Sequence, residues 1–340
     1  MSHQAGGGAF GFFIVDETDE ALDKLYPKHL RTFLKDKEVL LQFFSITEKY
    51  TPTGERINRV NGRVSQAGKD DPMTITLLEQ DYYYFRVSSV VVTDHDNFVE
   101  FSPKGACEAH AVAYDGVYRS AIPAEARSIH HLTVSSRVDL AVKCRHDAIL
   151  RFHQGVATEK DSVVKIPVIP QKQHHEIEYT SSPFWDPFLG TRWNPRRAYY
   201  NPNLLEGTVD ETWDVYMMQT KEKIVNKTTT GAIIGKKNLV SVNNHTWDPS
   251  NAIRAFEMNK LVEWNIYDSL THPFHPHINR MMVATPGGCG GRYEEGQYFD
   301  TINSVEPCKV RVQFWDFGGR LVLHCHNLKH EGQYPSPDLF

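Results

Sequence analysis

The sequence predicts an all-β protein built from β-sandwiches. Runs rich in β-branched and aromatic residues, such as Tyr82 to Thr93, recur along the chain, and Val138 to Val142 alternates with the period of a strand. Turn signals such as Asn61-Gly62 and Asp115-Gly116 separate these runs. Because the pattern leaves little room for helices, short strands stacked as sandwiches are the expected architecture.

The other elements follow in chain order. Residues 9–16 form an apolar run that predicts a strand, and residues 17–38 are charged, partly helical in pattern and interrupted by Pro27, as in a connector. Residues 183–197 are dense in Pro, aromatic and Arg residues without a strand or helix period, which predicts a linker over domain surfaces. Further strand runs are expected at Val39–Ile46, Met73–Leu78, Leu261–Tyr267 and Val310–Phe314.

Length and charge exclude several classes of function. A chain of 340 residues is long enough for two or three domains. The net charge of -5 offers no basic field for nucleic acid or for an anionic membrane. No apolar run approaches the roughly 18 residues that a membrane helix requires, and the first eight residues lack the features of a signal peptide. We therefore expect a soluble protein with neither nucleic acid nor membrane as a partner.

The five cysteines divide into one and four. Cys325 lies among histidines and is set aside as a metal ligand. The other four admit three different pairings, and their even number is compatible with an oxidising compartment. They are Cys107, Cys144, Cys289 and Cys308.

Two short motifs concentrate the metal-ligating side chains. The first is His272-Pro273-Phe274-His275-Pro276-His277, and the second is His324-Cys325-His326 followed by His330. One cysteine with two imidazoles is the ligand set of a blue-copper site. We assign His272, Cys325 and His330 to such a site.

The remaining histidines of the motifs predict a second metal group. Alternate side chains of an extended chain point the same way, so His324 and His326 share one face while Cys325 points to the other. The same alternation places His275 and His277 on a common face. A thiolate flanked in sequence by two imidazoles that reach a second metal cluster gives a short covalent path for electrons.

Two other histidine pairs, His130-His131 and His174-His175, have a different interpretation. Neighbouring residues in a strand face opposite ways, and no cysteine or third histidine stands at ligand spacing. We expect both pairs to lie on the solvated surface.

The two ligand motifs resemble those of the multicopper oxidases, the family of laccases, ascorbate oxidase and ceruloplasmin. The resemblance implies tandem cupredoxin-like Greek-key β-sandwiches, with dioxygen and a small reducing substrate such as a phenol or a metal ion as reactants. It implies a type 1 copper held by His272, Cys325 and His330. It also implies a type 2 copper at His275 and a type 3 pair at His277, His324 and His326.

The resemblance also implies a domain organisation. Residues 1–25 would be a remnant of the first cupredoxin domain, 26–164 the second plastocyanin-like domain, 165–231 a linker and 232–340 the third plastocyanin-like domain with the copper-ligand motifs. Ser2-His3 resembles the tail of a His-x-His pair of the family, so His3 is an additional candidate ligand. The upstream half of the first domain has no counterpart, as in an N-terminally truncated laccase-like chain.

Two departures from the family leave alternatives open. A trinuclear cluster of the family takes eight histidines, whereas this chain supplies four, or five with His3. Type 2 and type 3 coppers are therefore expected only if other histidines are supplied, for example by a subunit partner. The alternative is a non-catalytic copper-binding or electron-transfer protein with a single type 1 copper.

The second departure concerns the axial side of the type 1 site. The family usually places Met, Leu or Phe ten residues after the ligand cysteine, where this chain has Pro335. Proline offers no donor atom, so either the axial side is empty or the loop is distorted.

By resemblance the compartment would be extracellular or secretory.

Overall fold

The structure is a computed structural model that describes residues 9–14, 18–20, 28–46, 57–69, 71–79, 81–90, 96–119, 125–155, 157–158, 160–170, 202–225, 233–246, 248, 250–269 and 272–327. Regular structure in these ranges is almost entirely β-strand, which confirms the predicted all-β class. None of the helices within these ranges has the length and apolar character needed to cross a membrane. The chain divides into two compact units, one that ends at Pro202 and one that begins at Asn203.

Helix α1 of the first unit spans Lys28–Lys35. Its strands are β1 Glu38–Ile46, β2 Ile57–Val60, β3 Arg63–Val64, β4 Met73–Thr74, β5 Leu77–Leu78, β6 Tyr83–Val90, β7 Asn97–Ser102, β8 Cys107–Tyr114, β9 Val117–Tyr118, β10 Ile129–Leu132, β11 Arg137–Cys144, β12 Ala148–Gln154, β13 Ser162–Ile166 and β14 Val168–Ile169. One sheet has seven strands in the order β3-β2-β1-β6-β11-β8-β9, and another has five in the order β10-β7-β12-β13-β4. Strands β5 and β14 form a separate parallel pair.

The core of the first unit lies between its two large sheets. The rings of Phe43 on β1 and Phe152 on β12 stack with centroids 4.8 Å apart. Strand β11 contributes Leu140, which is fully buried in the same cluster. A disulfide joins Cys107 and Cys144, which are direct cross-strand partners on β8 and β11. Apolar side chains that alternate along each strand therefore meet in one layer, as a sandwich requires.

Several predictions for the first unit need correction. The strand expected at residues 9–16 is not formed over its described part, residues 9–14; there Phe10 packs edge-on against Phe44, with ring centroids 4.5 Å apart. The run Met73–Leu78 is divided into two short strands. His130 is 3% exposed and its Nε2 lies 3.2 Å from the carbonyl oxygen of Arg127, so its expected surface position was wrong. His174 and His175 lie outside the described residues.

The second unit begins with a 3-10 turn at Leu204–Glu206. Its further elements are β15 Glu211–Val225, β16 Ile233–Val242, β17 Leu261–Tyr267, β18 Phe274–Pro276, β19 Met281–Val283, the short helical segment α2 Gly288–Gly291, β20 Tyr298–Phe299, β21 Cys308–Gln313 and β22 Leu323–Cys325. Six strands form a sheet in the order β16-β15-β17-β21-β19-β20, and β18 pairs with β22. Residues 211–225, which the sequence assigned to the linker, therefore form a strand of this sheet.

An aromatic cluster fills the core of the second unit beneath β18. The ring of Trp264 on β17 meets Trp213 and Phe274 edge-on, with centroids 5.8 and 5.7 Å away. Phe314 packs against the same indole at 6.1 Å. Because Phe274 belongs to the first ligand motif and is fully buried, the cluster anchors that motif to the main sheet.

A disulfide between Cys289 and Cys308 ties the glycine-rich loop to the start of β21. Within the loop Gly288 has a φ of 74°, and a Cβ there would lie 1.7 Å from the carbonyl oxygen of Tyr293. Only glycine fits this close approach of two backbone segments.

Candidate metal centre

Strands β18 and β22 bring the two ligand motifs face to face. They are antiparallel, and His275 stands opposite His324 while Phe274 stands opposite Cys325. Backbone hydrogen bonds extend the pairing beyond both ends of the strands. The amide of His326 donates to the carbonyl oxygen of Pro273, and the amide of His277 donates to that of Val322, each at 2.7 Å.

One face of this ribbon holds the cysteine. Cys325 and His272 are each 5% exposed, and Cys325 Sγ lies 3.6 Å from His272 Nδ1. The backbone amide of Asn327 donates to the same sulfur at 3.4 Å. A buried thiol thus has an imidazole nitrogen and an amide hydrogen directed at it.

The other face holds four imidazoles. The ring of His275 lies 4.9 Å from that of His277, 5.3 Å from that of His324 and 4.4 Å from that of His326, measured between centroids. His277 Nε2 and His324 Nε2 are 3.1 Å apart. One nitrogen from each of His275, His277 and His324 lies within 4.8 Å of the other two, a spacing that allows a shared metal ion.

In two of these rings, Nδ1 donates a hydrogen bond to a backbone carbonyl oxygen. His275 Nδ1 donates to the carbonyl oxygen of Asp300 at 2.7 Å. His324 Nδ1 donates in the same way to the carbonyl oxygen of Cys325 at 3.0 Å. Because each imidazole has one further nitrogen, Nε2 is the atom with which either ring would bind a metal ion.

The ring of His275 is held in its neutral form. Burial, and after it the nearby imidazole of His326, lower the pKa of His275 to about 4. Asp300 opposes this shift without cancelling it. Neutral imidazole is the form that coordinates metals, so the ring is ready to bind at neutral pH.

The donor set on both faces fits copper. Ligand atoms about 2.0–2.3 Å from one ion at tetrahedral angles lie roughly 3.3–3.7 Å apart, which brackets the Cys325–His272 separation. Thiolate with imidazole suits a type 1 ion, and imidazoles alone suit the copper ions of a second group. The chemistry and spacing of the residues present therefore agree with the metal that the motifs indicate.

Six of the eight candidate ligands lie within the described residues. The structure brings His272 and Cys325 together on one face and groups the other four on the opposite face, as the two-residue alternation predicts; these four are His275, His277, His324 and His326. His3 and His330 lie outside the described residues, as does Pro335.

Sequence reasoning missed the contribution of Asp300 and Thr301 to this site. Asp300 holds His275 through its backbone carbonyl, and Thr301 Oγ1 lies 3.2 Å from the same Nδ1. A backbone contact leaves no signature in residue type. The position of both residues directly after the short strand β20 is the one signal that the sequence offers.

Comparisons with known proteins agree with this geometry. A family model described as multicopper oxidase matches residues 215–334. Similar solved structures include a laccase from Pediococcus acidilactici Pa5930, with a TM-score of 0.59 and 15% identity over 89% of this chain and 61% of that chain. A laccase-like multicopper oxidase CueO from Ochrobactrum sp. has a TM-score of 0.56 and 13% identity over 87% of this chain and 65% of that one.

A third structure, a multicopper oxidase from Campylobacter jejuni, has a TM-score of 0.54 and 15% identity over 87% of this chain and 62% of that chain. The chain therefore spans less than two thirds of the length of each of these structures. No curated protein matches the sequence. Residues 215–334 therefore match the multicopper oxidase family model, and the fold of the chain is shared with laccase-type structures.

Proposed function

We propose that this chain binds copper and takes part in the one-electron oxidation of a small reducing substrate, coupled to the reduction of dioxygen to water. The observation that carries the proposal is the position of Cys325 between His324 and His326, with its thiol on one face and their rings grouped on the other. Copper, when bound, would supply the one-electron chemistry beside the thiolate and the reduction of oxygen beside the histidines.

On the cysteine face we assign His272 and Cys325 to a type 1 site, with His330 as the third ligand. Both described side chains are buried, so water is kept from the sulfur and the site stays rigid. The amide of Asn327 stabilises negative charge on that sulfur, which favours the thiolate that a metal binds. These residues set the geometry and the redox potential of the site.

On the histidine face we assign His275 to a type 2 site and the other three rings to a type 3 pair. His324 and His326 are the sequence neighbours of Cys325, so the peptide backbone links the two faces by the shortest covalent route that the chain offers. The low pKa of His275 keeps that ring neutral and able to bind. His3 is a further candidate for this face.

A subunit partner would complete the histidine face. His277 is exposed, and so is its apolar neighbour in sequence, Ile278. Val322, whose carbonyl oxygen accepts a hydrogen bond from the amide of His277, and the adjacent Leu321 are exposed apolar side chains as well. Exposed apolar side chains around a functional group are typical of a surface that another chain covers. We propose that such a partner covers this surface and contributes imidazoles to the histidine face.

For the reducing substrate we propose phenols, aromatic amines or low-valent metal ions. We propose an extracellular or secretory compartment, and the two disulfides, Cys107–Cys144 and Cys289–Cys308, support it because such bonds persist in oxidising surroundings.

The test is copper content per chain measured together with oxygen uptake on a phenol. Four coppers with uptake would support the oxidase, and the exposed His245, changed to Gln, is a matched control that should leave both values unchanged. One copper without uptake would favour the alternative of an electron-transfer protein. A chain that binds no copper would overturn both.

A further inference from the structure

The segment Asp300–Ser304 lies alongside the first ligand motif and is hydrogen-bonded at three successive points to Ser269, which precedes the motif, and to two residues within it. The amide of Ser304 donates to the hydroxyl of Ser269 at 2.9 Å. Phe274 and Ile302 exchange two backbone hydrogen bonds, of 2.7 and 3.0 Å. At the other end of the segment, the backbone carbonyl oxygen of Asp300 accepts a hydrogen bond from His275 Nδ1.

The hydroxyl of Thr301 completes this last attachment. Thr301 is fully buried, and its Oγ1 donates to the carboxylate of Asp300 at 2.8 Å while lying 3.2 Å from His275 Nδ1. Since the hydroxyl hydrogen is directed at the carboxylate, the oxygen presents a lone pair to the imidazole. Both neighbours of Nδ1 are therefore hydrogen-bond acceptors.

A second set of bonds fixes the segment itself. The amide of Asn303 donates to the hydroxyl of Tyr293 at 2.7 Å, and that hydroxyl donates to the side-chain oxygen of Asn303 at 2.8 Å. Tyr293 follows the glycine-rich loop, and its amide donates to the carbonyl oxygen of Gly288. The disulfide of Cys289 ties the same loop to β21.

We propose that Asp300 and Thr301 are positioning residues that hold His275 as its Nδ1-protonated tautomer, so that Nε2 faces the copper of the histidine face. The inference rests on the proposed function for its metal, whereas the tautomer is a property of the protein without metal. Residues in this position around a metal site fix ring orientation, and their loss typically weakens metal binding 10- to 100-fold.

The experiment uses the full metal-free chain labelled with 15N-histidine, with the His275 resonances assigned from the His275→Gln variant. We expect Nδ1 protonated and Nε2 unprotonated in the unchanged chain and in Thr301→Ser, which keeps the hydroxyl. Thr301→Val should show a mixture of tautomers. Nε2-protonated His275 in the unchanged chain, or identical spectra for Thr301→Val, would overturn the inference.

Titration with copper(II) alone provides the second measurement. Thr301→Val should bind copper at least 10-fold more weakly than Thr301→Ser. Thr285→Val is the matched control, because the hydroxyl of Thr285 bonds to the backbone of Lys309 and not to a histidine; its affinity should stay within about twofold.

These measurements separate the two claims. Should Thr301→Val fail to fold, Asp300→Ala removes the acceptor of the Thr301 hydroxyl and should produce the same mixture of tautomers. The expected tautomers in a chain that binds no copper would overturn the proposed function and leave the positioning role supported. Copper binding with equal affinity in Thr301→Val and Thr301→Ser would overturn the positioning role alone.

Discussion

Cys325 Sγ and His272 Nδ1 lie 3.6 Å apart although 53 residues separate them in the chain. Pairing of β18 with β22 produces this contact, because it sets Cys325 opposite Phe274, two residues after His272. A thiol and an imidazole at this separation are spaced for one ion, and this contact is the basis of the type 1 assignment.

Replacement of Cys325 by Ser should remove the visible absorption that a copper–thiolate bond produces. The change removes the sulfur donor while keeping a side chain of similar size, and it leaves the four rings of the opposite face in place. Absorption spectra of the copper-loaded variant and of His245→Gln test this. Equal visible absorption in Cys325→Ser and His245→Gln would contradict the assignment.

The pair His277 and His324 should act as a unit in copper binding. Their Nε2 atoms are 3.1 Å apart, so either ring alone leaves an incomplete site. We expect His277→Gln and His324→Gln each to lower copper(II) affinity, and the double variant to lose less than the sum of the two changes. Additive losses in a double-mutant cycle, measured by calorimetry, would show that the two rings bind separately.

Phe274 should be a determinant of stability in the second unit. Its side chain is fully buried against Trp264, so Phe274→Ala leaves a cavity and should lower the free energy of unfolding by about 3–5 kcal/mol. The matched control is Phe317→Ala, at a side chain that is 50% exposed, which should cost within about 0.5 kcal/mol. Denaturant titration distinguishes the two, and similar losses would contradict the packing described.

The disulfide Cys289–Cys308 should stabilise the second unit by about 3 kcal/mol, since it closes a loop with a sequence separation of 19. The double variant Cys289→Ser/Cys308→Ser should therefore unfold at lower denaturant concentration. Cys107→Ser/Cys144→Ser opens a longer loop, of separation 37, and should cost slightly more. An unchanged midpoint in the first double variant would mean that the bond does not constrain the unfolded chain.

The faces of the ligand motifs could be predicted from the sequence because they depend on a local rule. Alternation in a strand places His324 and His326 together and Cys325 apart, whatever the partner strand is. The pairing of the four other cysteines could not be predicted, because it depends on which distant strands are neighbours. The same reason explains why residues 9–14 do not form the predicted strand. Their apolar run favours a strand, but strand formation also needs a pairing partner.

In the second unit, one strand and one contact of the metal centre could not be predicted from the sequence. Glu211–Val225 was assigned to a linker because the aromatic and proline-rich residues before it have no period, yet residues 211–225 pair with both β16 and β17. The hydrogen bond from His275 Nδ1 to the carbonyl oxygen of Asp300 could not be predicted either, since every residue has a backbone carbonyl. Contacts made by the backbone become visible only in three dimensions.

Anomalous diffraction at the copper edge, from crystals of the copper-loaded chain, tests the central claim most directly. The account predicts a peak about 2.0–2.3 Å from both Cys325 Sγ and His272 Nδ1, and at least one more peak among the rings of the opposite face. Ordered copper bound elsewhere, with no peak beside Cys325, would contradict it.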